Sequence, residues 1–372
     1  MPSFAKRPLT MRIDQVDPQH YEQQLTDKIA RITEQFSNLD MPTIEAFDSP
    51  KSHYRMRAEF KIWHEGDRCD YAMYQPGEYK KPFIIEQFPV GSELINRLMK
   101  ELIDIVNPSQ LLKRKLFQIE FLTTTTGQAV VTLIYHKPLG EDWLQLAEQI
   151  SKNLGIHIIG RSRKSKTVIG QDFVIETLKV KEREYHYQQV ETGFTQPNAK
   201  VCEKMLTWAV DCAEPLSGDL VELYCGNGNF TLPLASQFDR VMATEISKTS
   251  VKSAHFNMAH NGVDNITVLR MSSEEFSQAL DKEREFRRLE NIDLDTYDFT
   301  TIFVDPPRAG LDPHTVDIVK GFDNILYISC NPDTLHENLQ SIQETHTIER
   351  FAVFDQFPYT HHLECGVLLK AR

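Results

Sequence analysis

Two short apolar runs, Thr301–Val304 and Ile325–Ile328, limit what this chain can fold into more than any other feature. Both are brief, rich in β-branched residues and bounded by turn formers, the pattern of strands buried in a parallel sheet. The first stops at Asp305-Pro306-Pro307-Arg308 and the second at Ser329-Cys330-Asn331-Pro332. In doubly wound α/β sheets, ligands sit outside the carboxyl ends of the strands. A carboxylate, a guanidinium and a thiol are therefore expected on one rim.

The stretch Asp219–Phe230 reads as strand, glycine loop and helix start. Gly226 and Gly228 allow a sharp turn and a close backbone approach to a ligand at a helix N-terminus. A dinucleotide fingerprint wants a third glycine where Thr231 stands, and a lone G-x-G serves equally well as a structural turn. The next strand, Val241–Thr244, ends at Glu245, seventeen residues after Gly228. That is near the ~20 expected of a carboxylate that grips ribose hydroxyls. Glu245 has the alternative of capping the helix that begins near Ser247. Loop and acid together fit S-adenosylmethionine (SAM), with Tyr224 and Asn229 lining the loop. Further strands at Ile266–Leu269, Phe351–Phe354 and Val367–Leu369 bring the total to seven, ending in a C-terminal hairpin. The fold class expected is an α/β, Rossmann-like, seven-stranded sheet of the SAM-dependent methyltransferase kind, preceded by an α+β domain.

At 372 residues the chain suggests two domains, 1–190 and 191–372. In the first, Tyr21, Leu25, Ile29, Ile32 and Phe36 recur at helical spacing, and Pro42 and Pro50 bracket a loop. Tyr54–Trp63 alternates like a strand with one apolar face and one largely basic face, which carries Arg55, Arg57 and Lys61. Strands are expected at Phe83–Phe88, Phe117–Thr123 and Ala129–Tyr135, and helices at Gly91–Val106 and Glu141–Leu154. Basic clusters stand at Lys113-Arg114-Lys115 and between Arg161 and Lys166; each is a solvated face or an RNA contact. Tyr54, Trp63 and Phe117 interleave them as stacking platforms require, though core positions would suit them too.

The net charge of −12 argues at first against nucleic acid. Residues 1–190, however, hold 26 Lys+Arg against 25 Asp+Glu, so the acidity lies in the second half. An RNA-binding first domain stays open. The six cysteines form no C-x-x-C pair, so neither a metal nor an iron–sulfur cluster is expected. No apolar run approaches membrane-spanning length, and Met1–Met11 has no apolar core of a signal peptide, so a cytoplasmic protein is expected. The sequence does not reveal oligomeric state; a monomer is the working expectation.

Phe194-Thr195-Gln196-Pro197-Asn198, E-L-Y-C-G-N-G-N-F, D-P-P-R-A-G-L, Y-I-S-C-N-P and the tail D-Q-F-P-Y-T-H-H-L-E-C-G resemble the bacterial RNA 5-methyluridine methyltransferases. The similarity is densest to the tRNA (uracil-5)-methyltransferases, and it extends to S-H-Y-R-M-R-A-E-F and L-F-Q-I-E-F-L-T-T in the first half. Relatives that act on ribosomal RNA carry an extra β-barrel and a cysteine cluster that this chain lacks. The resemblance implies methylation by SAM of C5 of the T-loop uridine at tRNA position 54, and possible action on tRNA-like RNAs such as tmRNA. It assigns the nucleophile to Cys330, the proton acceptor to Glu364, and cofactor contacts to Gln196, Asp305 and the loop residues above. Arg308 would meet RNA phosphate or the flipped base, and Phe117 would be a wedge or stacking residue. The chemistry agrees, because C5 of uracil is a poor nucleophile until a thiolate has added at C6. A ribosomal RNA substrate, or an RNA-folding chaperone with incidental methylation, are the alternatives.

Overall fold

Thr301–Val304 and Ile325–Ile328 do become adjacent buried strands, and the elements are best taken in chain order. They are α1 (Tyr21–Gln35), β1 (Ile44–Phe47), β2 (Arg57–Glu65), β3 (Arg68–Tyr74), β4 (Pro82–Ile84), α2 (Glu93–Val106) and the single turn α3 (Gln110–Lys113). Then come β5 (Leu116–Thr123), β6 (Ala129–Tyr135), α4 (Glu141–Leu154), β7 (His157–Ser162), β8 (Ser165–Ile169), β9 (Phe173–Val180) and β10 (Arg183–Val190). The second half opens with α5 (Ala199–Ala213), β11 (Asp219–Leu223), the short α6 (Thr231–Leu234), β12 (Val241–Thr244), α7 (Lys248–Asn261), β13 (Ile266–Leu269) and α8 (Ser273–Leu280). It closes with β14 (Phe299–Val304), α9 (Pro313–Val319), β15 (Asn324–Ser329), α10 (Pro332–Ile342), β16 (His346–Phe354) and β17 (Glu364–Ala371). This computed structural model describes Arg12, residues 14–75 and residues 81–372. Met1–Met11, on which the cytoplasmic expectation partly rested, lie outside the described residues.

Among the described residues the larger sheet has eight strands in the order β1-β16-β17-β15-β14-β11-β12-β13. Strands β11 to β15 run parallel, and β17 enters antiparallel between β15 and β16. Its faces bury separate cores. One holds α5 with Trp208, together with Phe303, Phe354 and the β9–β10 hairpin through Leu178 and Tyr187. The other holds α8, α9 and α10 through Phe276, Val316 and Leu339, with Ile32 and Phe36 of α1 beside them. A second sheet, in the order β4-β3-β2-β5-β6-β7-β8, folds with α2 and α4 around Phe60, Phe121 and Trp143.

Two expectations change. The sheet gains an eighth strand, because the segment between Pro42 and Pro50 is not a loop: β1 pairs in parallel with β16, Ile44 opposite Phe351. Four residues are too few to show a period, and Glu45 is held from the second half by a bidentate bond from Arg350 at 2.8 and 2.6 Å. The strand expected at Phe83–Phe88 shrinks to Pro82–Ile84. A division at residue 190 also cuts across the cores, since α1, β1 and the β9–β10 hairpin all pack with the second half. Burying Ile32 and Phe36 stabilises the docking of α1 by roughly 3–6 kcal/mol, as an upper bound.

Candidate active site

The loop after β11 is built on left-handed backbone. Tyr224, Gly226 and Gly228 have φ of 64°, 58° and 83°. Glycine accepts this at no cost, whereas Tyr224 holds it under strain, its hydroxyl 3.0 Å from Ser273 Oγ. The Gly228 amide donates to the Cys225 carbonyl at 2.9 Å and closes the turn into α6. Glu245 does both things open to it from the sequence. One carboxylate oxygen accepts from the Gly226 amide at 3.0 Å, the other from the Ser247 amide at 2.7 Å, just ahead of α7. The acid thus ties the glycine loop to the neighbouring strand end. Asn229 lies beside Cys202, and its carbonyl accepts from the Tyr187 hydroxyl at 3.0 Å.

The rim loops after β14 and β15 are bonded to each other. Asn331 caps α10, with Pro332 in the first turn, and its Nδ2 donates to the Arg308 carbonyl at 2.9 Å. The cap fixes the direction in which Cys330 leaves its strand. In the β15–β17 ladder Ser329 lies opposite Cys365. One step further along each strand puts Cys330 beside Glu364 on the same face.

A cavity of about 750 Å³ opens between these loops. Its lining includes Gln196, Tyr224, Gly226, Asn229, Glu245, Asp305, Arg308, Cys330 and Glu364. The sequence therefore named most of a wall it had no means of assembling. Gly228 does not line the cavity; it is buried and shapes the turn behind it.

Charge in the cavity is one-sided. Burial, reinforced by Asp305, pushes the Glu364 carboxyl up to about 8. Desolvation alone takes Asp305 to about 7. Glu222, on the same wall, rises to about 8 for the same cause, with Asp305 adding to it. The Cys330 thiol is pushed up to about 11 by burial, then by Glu364 and Asp305, against which Arg308 acts in the opposite sense. Three acids and a thiol enclosed together favour their neutral forms, and they favour a cation as the occupant of the site. Among the described residues, one oxygen of Glu222, 1% exposed, has no hydrogen-bond partner, and apart from Gly226 and its two chain neighbours no atom lies within 4 Å of where a Cβ on Gly226 would stand. A polar, positively charged ligand that approaches the loop backbone fits both observations.

The RNA-facing residues of the first half divide. Phe117 is exposed, stacked on His136 with ring centres 4.3 Å apart, and Lys61 Nζ lies 4.2 Å from its ring centre. Arg57 is turned inward and donates to the carbonyls of Glu191 and Gly193. Arg55 donates to the Arg57 carbonyl at 2.8 Å, and burial lowers its pKa. Lys113 is buried on the carbonyls of Asp67 and Asn107. In all three, nearby carbonyls take part of the donor capacity that a phosphate contact would use. Arg114 and Lys115 stay exposed, as does Trp63, whereas Tyr54 is core. Sequence reasoning missed Glu222, His136 and Phe194, which is 78% exposed at the cavity mouth. Phe194 stood in plain view, one residue into the Gly193–Asn198 stretch.

Among the described residues no group of three or more His, Cys, Asp or Glu side chains is placed to hold a metal ion. Nor is any helix among them long and apolar enough to cross a membrane.

The profile of the tRNA (Uracil-5-)-methyltransferase family matches residues 20–372. The chain belongs to this family. A tRNA/tmRNA (uracil-C(5))-methyltransferase of Saccharophagus degradans is 60% identical over 362 residues, covering 97% of this chain and 99% of that one. A protein of the same name from Vibrio parahaemolyticus is 52% identical over 364 residues, covering 96% and 98%. In fold, the tRNA (uracil-54, C5)-methyltransferase of Pyrococcus abyssi, solved with S-adenosyl-L-homocysteine, superposes with a TM-score of 0.71 at 20% identity, covering 94% of this chain and 83% of that one. The likeness in fold thus extends over most of both chains.

Proposed function

We propose that this chain methylates C5 of uridine in tRNA, at T-loop position 54, with SAM as donor, and accepts tRNA-like RNAs such as tmRNA. The observation that carries the reading is that Cys330 and Glu364, each one residue beyond the Ser329–Cys365 pair, line the same cavity as the glycine loop and Glu245. Gln196, Tyr224, Gly226, Asn229, Glu245 and Asp305 would hold the cofactor. When bound, SAM supplies an electrophilic methyl group and a positive sulfonium charge.

The Cys330 thiolate adds to C6 of a uracil flipped out of its stack, and the electron pair of the C5–C6 double bond moves toward O4. With SAM held there, C5 would attack the methyl carbon, and the S–CH3 bond would break with its electron pair left on the departing thioether. Glu364 takes the remaining proton from C5, the C–H pair restores the double bond, and the C6–S bond breaks to return the thiolate. Arg308, exposed at the mouth, adds to a backbone hydrogen bond at Cys330 in favouring the thiolate. Phe194 offers the flipped ring a face to stack on. Phe117, with Lys61 and His136, presents a second stacking surface with a cation beside it, and Arg114 and Lys115 add phosphate contacts. We place the protein in the cytoplasm, as a monomer without metal.

The test is incubation of unmodified tRNA with methyl-labelled SAM, followed by nucleoside analysis. 5-Methyluridine as the product supports the reading; 5-methylcytidine or N6-methyladenosine alone overturns it.

A further inference from the structure

Glu364 is delivered by residues 355–363, which join β16 to β17. A single ammonium group grips both ends of that loop. Lys28 of α1, 5% exposed, donates to Asp355 Oδ1 at 2.7 Å and to the carbonyls of Phe357 and His362, each at 2.9 Å. All three of its protons are thereby used. Asp355 is fully buried, and its second oxygen accepts from Gln24 Nε2 at 2.8 Å. Gln24 also accepts from the Tyr359 amide at 3.2 Å, and Arg31 donates to the His361 carbonyl at 2.7 Å. Gln24, Lys28 and Arg31 stand at i, i+4 and i+7, one face of a helix. That face addresses the loop at five residues.

Both ends of the gripped segment lead to the site. Gln356, fully buried beside Asp355, donates its amide to Gln196 Oε1 at 2.7 Å. Past His362, only Leu363 separates the loop from Glu364. A buried ion pair adds little stability over apolar side chains of equal volume, but it fixes geometry.

We propose that Lys28 is a positioning residue for the reaction: through loop 355–363 it holds the Glu364 carboxylate where the C5 proton is removed. The inference rests on Glu364 being the base. Without the ammonium the loop loses the group that joins its ends, and Glu364 drifts from C5. Thiol addition depends on β15, and methyl transfer on the glycine loop, neither of which Lys28 touches; the gripped loop reaches the cofactor side only through the Gln356–Gln196 bond. Loss of Lys28 therefore slows proton removal more than methyl transfer.

The experiment uses the full chain in excess over a tRNA transcript tritiated at uridine C5, with carbon-labelled SAM. Tritium release and methyl incorporation are followed together. Their ratio does not depend on how much protein is folded, so mere destabilisation leaves it unchanged. Lys28→Met, and Lys28→Met with Asp355→Asn to avoid an unpaired buried charge, are expected to release tritium about 10- to 100-fold more slowly than methyl arrives. Gln24→Ala, which cuts the loop's bonds but keeps the ion pair, is expected to show a smaller lag and serves if the Lys28 variants do not fold. Proportional loss of both signals, in an enzyme whose Glu364→Gln variant does separate them, overturns the positioning role. If Glu364→Gln itself fails to separate them, the base assignment falls first and this proposal with it.

Discussion

Cys330 and Glu364 sit side by side because Ser329 pairs with Cys365 one step earlier in the β15–β17 ladder. Strand register, which a one-residue slip would invert, therefore sets the thiol and the carboxyl on one face. Their shared enclosure carries a cost: burial holds both groups toward their neutral forms, the thiol near 11 and the carboxyl near 8.

That enclosure predicts how the cofactor binds. Asp305 at about 7 and Glu222 and Glu364 at about 8 are protonated in mild acid and ionise as pH rises through 6 to 8.5. Their negative charge attracts the sulfonium of SAM and not the neutral thioether of S-adenosylhomocysteine. SAM affinity is expected to rise across this window by up to about tenfold per group and pH unit, and that of the thioether to rise less. Calorimetric titrations of both ligands at several pH values measure it; parallel profiles would contradict the charge argument.

Phe117 is exposed and backed by His136 and Lys61. Phe117→Ala is expected to weaken tRNA binding by about 1–3 kcal/mol, the worth of one stacked base, while SAM binding stays the same. Filter binding and SAM titration separate these outcomes. Unchanged tRNA affinity returns Phe117 to ordinary surface.

The basic residues of the first half should split by their partners. Replacing exposed Arg114 and Lys115 with alanine is expected to reduce the slope of log K against log salt by about 1 to 2. Arg57→Met is expected to lower the melting temperature, because two carbonyls lose their donors, and to leave the slope alone. A slope change with Arg57→Met and none with the double variant would reverse the assignment.

The parallel strands were legible because each is a short β-branched run that ends at a turn former. Tyr224, Asn229, Glu245, Asp305 and Cys330 were legible as rim residues because they stand where apolar runs stop, whereas Gln196 and Glu364 came only through the family resemblance. Strand β1 was not, since four residues carry no period and its partner β16 lies some 300 residues on. The internal bonds of Arg57 and Lys113 were not legible, because composition records a charge but not the carbonyl that takes its protons. Lys28 was invisible for the same reason, its bond to Asp355 spanning 327 residues.

The most direct test of the account is the mass of the protein after reaction. Glu364→Gln, incubated with SAM and tRNA, then denatured and digested with nuclease, is expected to carry a methylated uridine nucleotide on Cys330. Its carboxamide accepts the C5 proton about 10²–10⁴-fold more slowly, so the adduct outlives the assay. Without SAM the methylated adduct should not form, and with Cys330→Ala added no adduct should form at all. An adduct on another residue, or an inactive Glu364→Gln that binds both ligands and carries none, would contradict the assignment of nucleophile and base.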